Sequence, residues 1–430
     1  MKQLRAYPRA VITEKGARKV RSGHPWVFEG EVVRMEPAPL DGRAAVNGDV
    51  VDVVEENGTY LGSGLLSEAS KIRVRLLTRN ANDRFDEAYW ARKLEWCWKY
   101  RTTTMGHRAL PGAEPDTNCC RVLFSEADGF PGLIVDRYED VLVAQVGTVG
   151  MQRLRPVIYP LLVRTLRDAG ETISGIYERN DAPTRAKEGL ALEKGWYDLG
   201  DGADLSGRTV VRAQENGIAY DIDVENSQKT GFFLDQKYNR RAVRDIAAGR
   251  RVLDCFCHVG SFGLNAAAGG AKFVRCLDVS QSAIDLARAN AETNGFADRM
   301  AFTCDDAKRY LTELAGDRDR LRAEGGPFDL IVLDPPAFTK SRGTIENARR
   351  GYEEINYLAM RMLPRGGYLA TCSCSHFMTA GMLRQAVAEA AQGANLQLKM
   401  VEQRQQAPDH PMLWGVPETS YLDFFIFQVI

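Results

Sequence analysis

The segment from Arg251 to Asp278 limits what this chain can fold into more than any other. An apolar run, Arg251-Val252-Leu253-Asp254-Cys255, leads into a tight loop that holds Gly260 and Gly263. A small-residue helix from Leu264 to Gly270 follows, and then a second apolar run, Phe273 to Leu277, which ends in Asp278. That is a strand–loop–helix–strand unit, the start of an open parallel sheet. Ligands in such sheets sit beyond the carboxyl ends of the strands, where loops meet helix N-termini. An acid 18 residues past Gly260 suits a carboxylate that accepts hydrogen bonds from ribose hydroxyls. The competing reading of Asp278 is a cap on the next helix. The glycines are spaced G-x-x-G, and the three-glycine dinucleotide fingerprint is missing. A pyrophosphate needs closer backbone approach than this loop offers, whereas S-adenosylmethionine brings an adenosine and no phosphate.

At 430 residues the chain is too long for one compact core, so two or three domains are expected. Its 44% hydrophobic and 26% charged residues are ordinary for a soluble globular protein. A formal net charge of −1 provides no global pull on nucleic acid, so such binding must come from local basic patches. No apolar run is long enough to span a membrane, and Met1-Lys2-Gln3-Leu4-Arg5 lacks the apolar core of a signal peptide. The nine cysteines show no zinc-type C-x2–4-C pairing. Most lie in apolar runs, a pattern that fits free thiols in a reducing cytoplasm.

Residues 1–78 carry short strand signals, turn glycines and an Asn57-Gly58 hairpin turn, which together suggest a small β-barrel. Seven basic residues and one acid lie between Lys2 and Arg21. They are either a solvated face or phosphate contacts. Gly23-His24-Pro25-Trp26-Val27-Phe28, Asn47 to Val53 and the strand at Gly62 to Gly64 resemble the PUA domain, a small RNA-binding barrel. Thr78 to Asp86 reads as a linker. Residues 79–205 read as a small α+β domain: a helix from Glu87 to Thr103 with Trp90, Leu94, Cys97 and Trp98 on one stripe, strands around Asp128-Gly129, and a helix from Met151 to Ala169. Arg179, Arg185 and Lys187 either touch RNA or are solvated. Asn216-Gly217 marks a second hairpin, and Asp235 is placed to cap the helix that follows. After Asp278, helices are expected at Ser282–Asn294, Tyr352–Leu363 and near Met382–Ala391. The fifth strand is expected at Tyr368–Thr371.

Four loops then converge on one sheet edge: Asp254–Gly263, Asp278, Asp305–Ala307 and Asp334–Pro336. Each holds an acid after a strand. Any one of these acids could be a helix cap; four together resemble the class I S-adenosylmethionine-dependent methyltransferase fold. That resemblance implies that Asp254, Phe256 and Gly260 hold the methionine end, Asp278 the ribose, and Asp306 with Ala307 the adenine. Asp305 competes with Asp306. Gln236 and Asp334 complete the implied cofactor set. The prolines of Asp334-Pro335-Pro336 fix the chain and remove backbone donors, which turns Asp334 toward a substrate base. Amine-methylating enzymes follow Pro-Pro directly with an aromatic residue; here Ala337 intervenes before Phe338, against amine methylation.

The fifth strand leads to thiols. Carbon 5 of a pyrimidine becomes nucleophilic once a thiolate adds to carbon 6. Cys372 and Cys374 would share a face on a regular strand, so only the one past the strand end is free to attack. Cys374 is the expected nucleophile, and Cys372 a buried strand residue. The whole pattern is similar to the PUA-containing bacterial 23S ribosomal RNA cytosine-5 methyltransferases with a single catalytic cysteine. Its most specific pieces are Phe124 to Gly129, Gln228 to Gln236, Asp334 to Phe338 and Ser373-Cys374-Ser375. The resemblance implies an N-terminal PUA-like β-barrel, a small central α+β domain, and at 206–430 an α/β, Rossmann-like methyltransferase domain with a seven-stranded sheet. It implies Cys374 and Asp334 as catalytic residues, S-adenosylmethionine as cofactor and no metal. It also implies 23S ribosomal RNA as partner and no membrane, and leaves a homodimer open. Lys340-Ser341-Arg342 and the barrel would hold flanking phosphates. Rival readings are methylation of another nucleobase atom, such as a guanine ring nitrogen, and a non-catalytic RNA-binding assembly factor.

Overall fold

The computed structural model describes residues 5–105, 116–339 and 341–430, without the side chain of Arg342. Lys2, Lys340 and most of the Pro- and Gly-rich loop before Asn118 therefore lie outside the described residues. The chain forms two compact units. One comprises Met1–Gln214, Asp221–Leu234 and Pro408–Thr419; the other comprises Glu215–Tyr220, Asp235–Ala407 and Ser420–Ile430.

The first unit holds a six-stranded and a five-stranded sheet. In the six-stranded sheet, Val50–Glu55 and Tyr60–Leu66 pair antiparallel across the Asn57-Gly58 turn. A Cβ at Gly64 would stand 2.3 Å from the Arg75 carbonyl oxygen, so the neighbouring strand can approach only because this residue has no side chain. Three of the seven basic residues of the N-terminal cluster are paired with acids. Arg5 pairs with Asp52, Lys19 with Glu31 and Arg21 with Glu55, while Lys15 and Arg18 stay exposed. In the five-stranded sheet, Trp90, Leu94, Cys97 and Trp98 of the helix Glu87–Thr104 pack into the core, as their spacing predicts. Arg179 and Arg185 are 5% and 2% exposed. They are neither solvated nor open to RNA, because both guanidinium groups are turned inward to donate to backbone carbonyls, Arg179 to Val224 and Ser227 and Arg185 to Val146 and Ala191. Of the three candidates only Lys187 faces solvent.

The second unit is built on one seven-stranded sheet. Its elements are α1 (Lys237–Asp245), β1 (Arg251–Cys255), α2 (Ser261–Ala268), β2 (Phe273–Asp278), α3 (Gln281–Thr293), β3 (Met300–Cys304), α4 (Ala307–Gly316), α5 (Arg318–Ala323), β4 (Leu330–Leu333), α6 (Ile345–Met362), β5 (Tyr368–Ser373), α7 (Ala380–Gly393), β6 (Leu398–Gln405) and β7 (Asp423–Val429). The strand order is β3-β2-β1-β4-β5-β7-β6. The first five run parallel, and β7 is antiparallel to both neighbours. The order reverses between β1 and β4, which puts the ligand crevice at their carboxyl ends. Apart from Asp254 in β1 and Thr371 in β5, the centres of β1, β4 and β5 are apolar, as a sheet covered on both faces requires. Leu253, Ile331, Leu333 and Leu369 are fully buried beneath α6 and α7.

Three local expectations shift. Helix α6 begins at Ile345 rather than Tyr352. Its first turns are polar, held by Arg349 against Glu346, Glu353 and Glu389, so the apolar period does not reveal them. Strand β5 runs on to Ser373, since the antiparallel partner β7 supplies pairing through Ser373↔Asp423. Asp235 does not cap α1. A 3-10 turn at Leu234–Gln236 puts Gln236 at the capping position and Asp235 one residue before it, and the Asp235 carboxylate accepts instead from the Tyr421 hydroxyl at 2.7 Å.

Candidate active site

The turn after β1 is the most strained backbone in the second unit. Phe256, His258 and Gly260 have φ of 62°, 48° and 78°, and only the last is free of a Cβ penalty. The strain is held by ties to neighbouring strands and helices. Cys257 N donates to Leu277 O at 3.0 Å, His258 N to Asp278 Oδ2 at 2.9 Å, and Asn290 Nδ2 to Val259 O at 3.2 Å. A Cβ on Gly260 would lie 3.0 Å from that of Ala287 on α3, and one on Gly263 2.6 Å from Cys276 Sγ. The first glycine shapes the turn; the second lets α2 lie close on the sheet. Strain concentrated in one loop at a strand end is a mark of a ligand clamp.

Asp254 lies under this turn, fully buried. Its Oδ2 accepts from Gly263 N in the first turn of α2 at 2.8 Å, while Oδ1 has no hydrogen-bond partner among the described residues. Burial pushes its carboxyl up to about 8, so the unanswered oxygen awaits a cation or donor. Asp278 receives Ser280 N at 3.0 Å and His258 N at 2.9 Å, one on each oxygen. Each oxygen keeps a lone pair. Val279 beside it is 72% exposed, an apolar face next to a carboxylate. Asp306 caps α4, accepting from Arg309 N at 2.8 Å. Asp305 accepts from Asp306 N and from the Arg309 guanidinium. Ala307 is buried behind them. The donor set fits S-adenosylmethionine: a buried orphan carboxylate oxygen for an ammonium, a carboxylate with spare lone pairs for a ribose, and exposed apolar surface beside it for an adenine.

The β4–β5 half of the edge is assembled differently. Asp334 follows β4, partly buried. Its Oδ1 accepts from Gln236 Nε2 at 3.2 Å and from Cys372 Sγ at 3.0 Å. Gln236 is 3% exposed, and its Oε1 accepts from Asn239 Nδ2 at 2.6 Å. Burial raises the Asp334 carboxyl to about 6, against the opposing pull of the Cys372 hydrogen bond. Cys372 is itself fully buried within β5, and burial together with the Asp334 carboxylate keeps it a thiol. Cys374 lies just past the end of β5, half-buried, with Sγ 3.9 Å from Pro335 O. The chain around it is pinned. The Tyr352 hydroxyl donates to Ser373 Oγ at 2.9 Å, Ser375 Oγ donates to Thr339 O at 3.0 Å, and Phe338 packs on Tyr352 with ring centroids 4.7 Å apart. Sequence reasoning missed Asn239 and Tyr352, whose only signal was helical spacing to Gln236 and a buried place on α6. Among the described residues no cluster of His, Cys, Asp or Glu could hold a metal ion.

A seven-stranded sheet of this order, carrying these acids at its carboxyl edge, defines a S-adenosylmethionine-dependent methyltransferase. The model of that family matches residues 199–422, and a PUA-like domain matches residues 11–79. A Streptococcus mutans protein described as a SAM-dependent methyltransferase has the same fold, with TM-score 0.74 at 19% identity, covering 98% of this chain and 100% of that one. A methyltransferase complexed with SAH superposes with TM-score 0.76 at 18% identity, covering 98% of this chain and 100% of that one. Ribosomal RNA large subunit methyltransferase I of Shewanella amazonensis is 36% identical over 94% of this chain and 95% of its own length. The Klebsiella pneumoniae protein of the same name is 34% identical over 99% of both. The chain belongs to the ribosomal RNA large subunit methyltransferase I family, and S-adenosylmethionine is its cofactor.

Proposed function

We propose that this protein methylates carbon 5 of a cytosine in 23S ribosomal RNA, with Cys374 as the nucleophile. The names of its relatives support ribosomal RNA of the large subunit as substrate. The observation that carries the chemistry is the contrast between two thiols. Cys372 is sealed within β5 and bonded to Asp334, while Cys374 stands past the strand end beside the Asp334-Pro335-Pro336 loop. S-adenosylmethionine, when bound, supplies the methyl group. The Cys374 thiolate adds to carbon 6 of the flipped base, forming an S–C bond. The C5–C6 π pair shifts through C4 to N3, which takes a proton from Asp334. Carbon 5 is then an enamine carbon able to accept the methyl group. The methyl group leaves its bonding pair on the donor sulfur; loss of the C5 proton to solvent, return of the N3 proton to Asp334 and cleavage of the Cys374 S–C bond then restore the aromatic ring and release the thiolate. Asp254, Phe256, Gly260 and Asp278 hold the cofactor in this reading, with Asp306 and Ala307 at the adenine. Gln236 supports Asp334 rather than the cofactor, since its amide is spent on Asp334, Cys372 and Asn239. Exposed Lys15 and Arg18 of the PUA-like unit are available for flanking phosphates. A ribosomal RNA substrate puts the enzyme in the cytoplasm, and among the described residues no helix is long and apolar enough to cross a membrane.

The test is Cys374→Ala. It should lower methyl transfer by at least ~10³-fold while calorimetry shows S-adenosylmethionine binding unchanged. Nucleoside mass spectrometry of the product should read 5-methylcytidine. Full activity of the variant, or a methylated guanosine, would end this reading.

A further inference from the structure

Asp334 is held in an unusual way for an acid at a strand end. Both described donors reach the same oxygen: Gln236 Nε2 and Cys372 Sγ both meet Oδ1. The amide of Gln236 has its direction set from behind, because Asn239 Nδ2 donates to Oε1, leaving the NH2 group to face the carboxylate. The thiol is equally committed. Cys372 is fully buried, with Leu333 O at 3.3 Å and Asp334 Oδ1 at 3.0 Å as the acceptors in reach of its hydrogen. A proton placed on Oδ1 would face two further donor hydrogens, whereas one on Oδ2 would not.

We propose that Gln236 and Cys372, backed by Asn239, are positioning residues that keep Oδ1 of Asp334 an acceptor and so direct the proton of that carboxyl to Oδ2, toward the base. This deepens the reading of Asp334 as the acid for the cytosine ring and rests on it. The first cysteine of the Cys-Ser-Cys stretch, Cys372, thus has a function unlike that of the second: it is a hydrogen-bond donor that must remain a thiol. The charged and titratable groups around Asp334 are Asp235 and Arg240 at the start of α1, Asp254 on β1, Tyr352 on α6, and Cys372 and Cys374 on and after β5. The thiol of Cys372 is bonded to the carboxylate. Its loss removes a donor that favours the anion, so the Asp334 limb of the pH profile moves to higher pH.

The experiment follows methyl transfer by the full-length enzyme with S-adenosylmethionine and a 23S ribosomal RNA fragment across pH, for Cys372→Ala, Cys372→Ser, Gln236→Leu and Asp334→Ala. Cys372→Ala and Gln236→Leu should each lower kcat by roughly 10-fold and move the Asp334 limb upward, with KM for the cofactor unchanged. Cys372→Ser keeps a donor and should recover most of the rate. In the Asp334→Ala background, Cys372→Ala should have no further effect. Two measurements with separate readouts keep the outcomes distinct. If Asp334→Ala is nearly inactive but Cys372→Ala and Gln236→Leu both superpose on the parent profile, the positioning role is overturned and the acid remains. If Asp334→Ala is fully active, the acid itself is wrong and the positioning role goes with it.

Discussion

The carboxyl edge of the seven-stranded sheet has two halves made by different means. At the ends of β1, β2 and β3 the acids are held by main-chain amides a few residues away or on the adjoining turn: Gly263 N for Asp254, Ser280 N and His258 N for Asp278, Arg309 N for Asp306. At β4 the acid is held by side chains distant in sequence, from Gln236 ahead of α1 and Cys372 in β5. A main-chain amide is present whatever the residue, so the first half is set by turn geometry and tolerates local change. A side-chain donor is a particular residue, so the second half can be tuned and can be lost by one substitution. The half assembled from main-chain amides is generic; the half assembled from side chains is specific.

Asp254 is the sharpest challenge to a generic first half, because one of its oxygens receives no hydrogen bond among the described residues. Burial lifts its carboxyl to about 8, above the ordinary ~3.9 of an unfolded chain. A folded-state value raised above the unfolded one contributes stability fully present below the unfolded value and lost as pH rises through the folded value. The ligand-free protein should therefore lose up to ~1.4 kcal/mol per pH unit from this group between roughly pH 4 and pH 8. Thermal melts of the parent and Asp254→Asn over that window should diverge, the parent falling more steeply. Parallel slopes would mean that a second, undetected donor already satisfies the carboxylate.

Asp278 tests the same half from the other side. If its spare lone pairs receive a ribose, Asp278→Ala should weaken S-adenosylmethionine binding by about 1.5–3 kcal/mol, roughly 10–100-fold, with little change in kcat at saturating cofactor. Isothermal calorimetry and a KM-against-kcat comparison read this directly. A loss confined to kcat would move Asp278 from the cofactor to the reaction.

What could be read from the sequence follows the same division. The β1-loop-α2-β2 unit, its two glycines and the acid 18 residues on are local patterns, and local geometry made them legible. The seven-stranded sheet was implied by the family resemblance that those patterns carry. The bonding of Gln236 to Asp334, 98 residues apart, has no periodic signal, so the motif alone does not reveal it. Arg179 and Arg185 read as surface charges because sequence gives no account of guanidinium groups satisfied by carbonyls inside a fold. The start of α6 was hidden for a related reason, since Arg349 and its three glutamates stabilise a polar helical turn that carries no apolar stripe. The return of Pro408–Thr419 to the first unit was equally silent. It is fixed by Asp409, whose carboxylate accepts from Arg121 N at 2.9 Å, again a long-range bond.

The smallest effect separates Asp306 from Asp305. Asp306 spends Oδ1 on the amide of Arg309 as the cap of α4, yet it is exposed and has a second oxygen, whereas Asp305 is drawn to the Arg309 guanidinium. Losing a cap costs ~1 kcal/mol of stability, and losing one hydrogen bond from an adenine amine costs about 0.5–1.5 kcal/mol of binding. Asp306→Ala should show both losses, in thermal melts and in S-adenosylmethionine calorimetry. Asp305→Ala should show neither at that size, since it gives up the Asp306 amide and an ion pair to a largely exposed Arg309, worth little together. If Asp306→Ala loses only stability while Asp305→Ala loses affinity, the adenine belongs to Asp305. The third acid of the edge would then be a cap and nothing more, and the cofactor half would depend on one side chain that the Arg309 guanidinium must release.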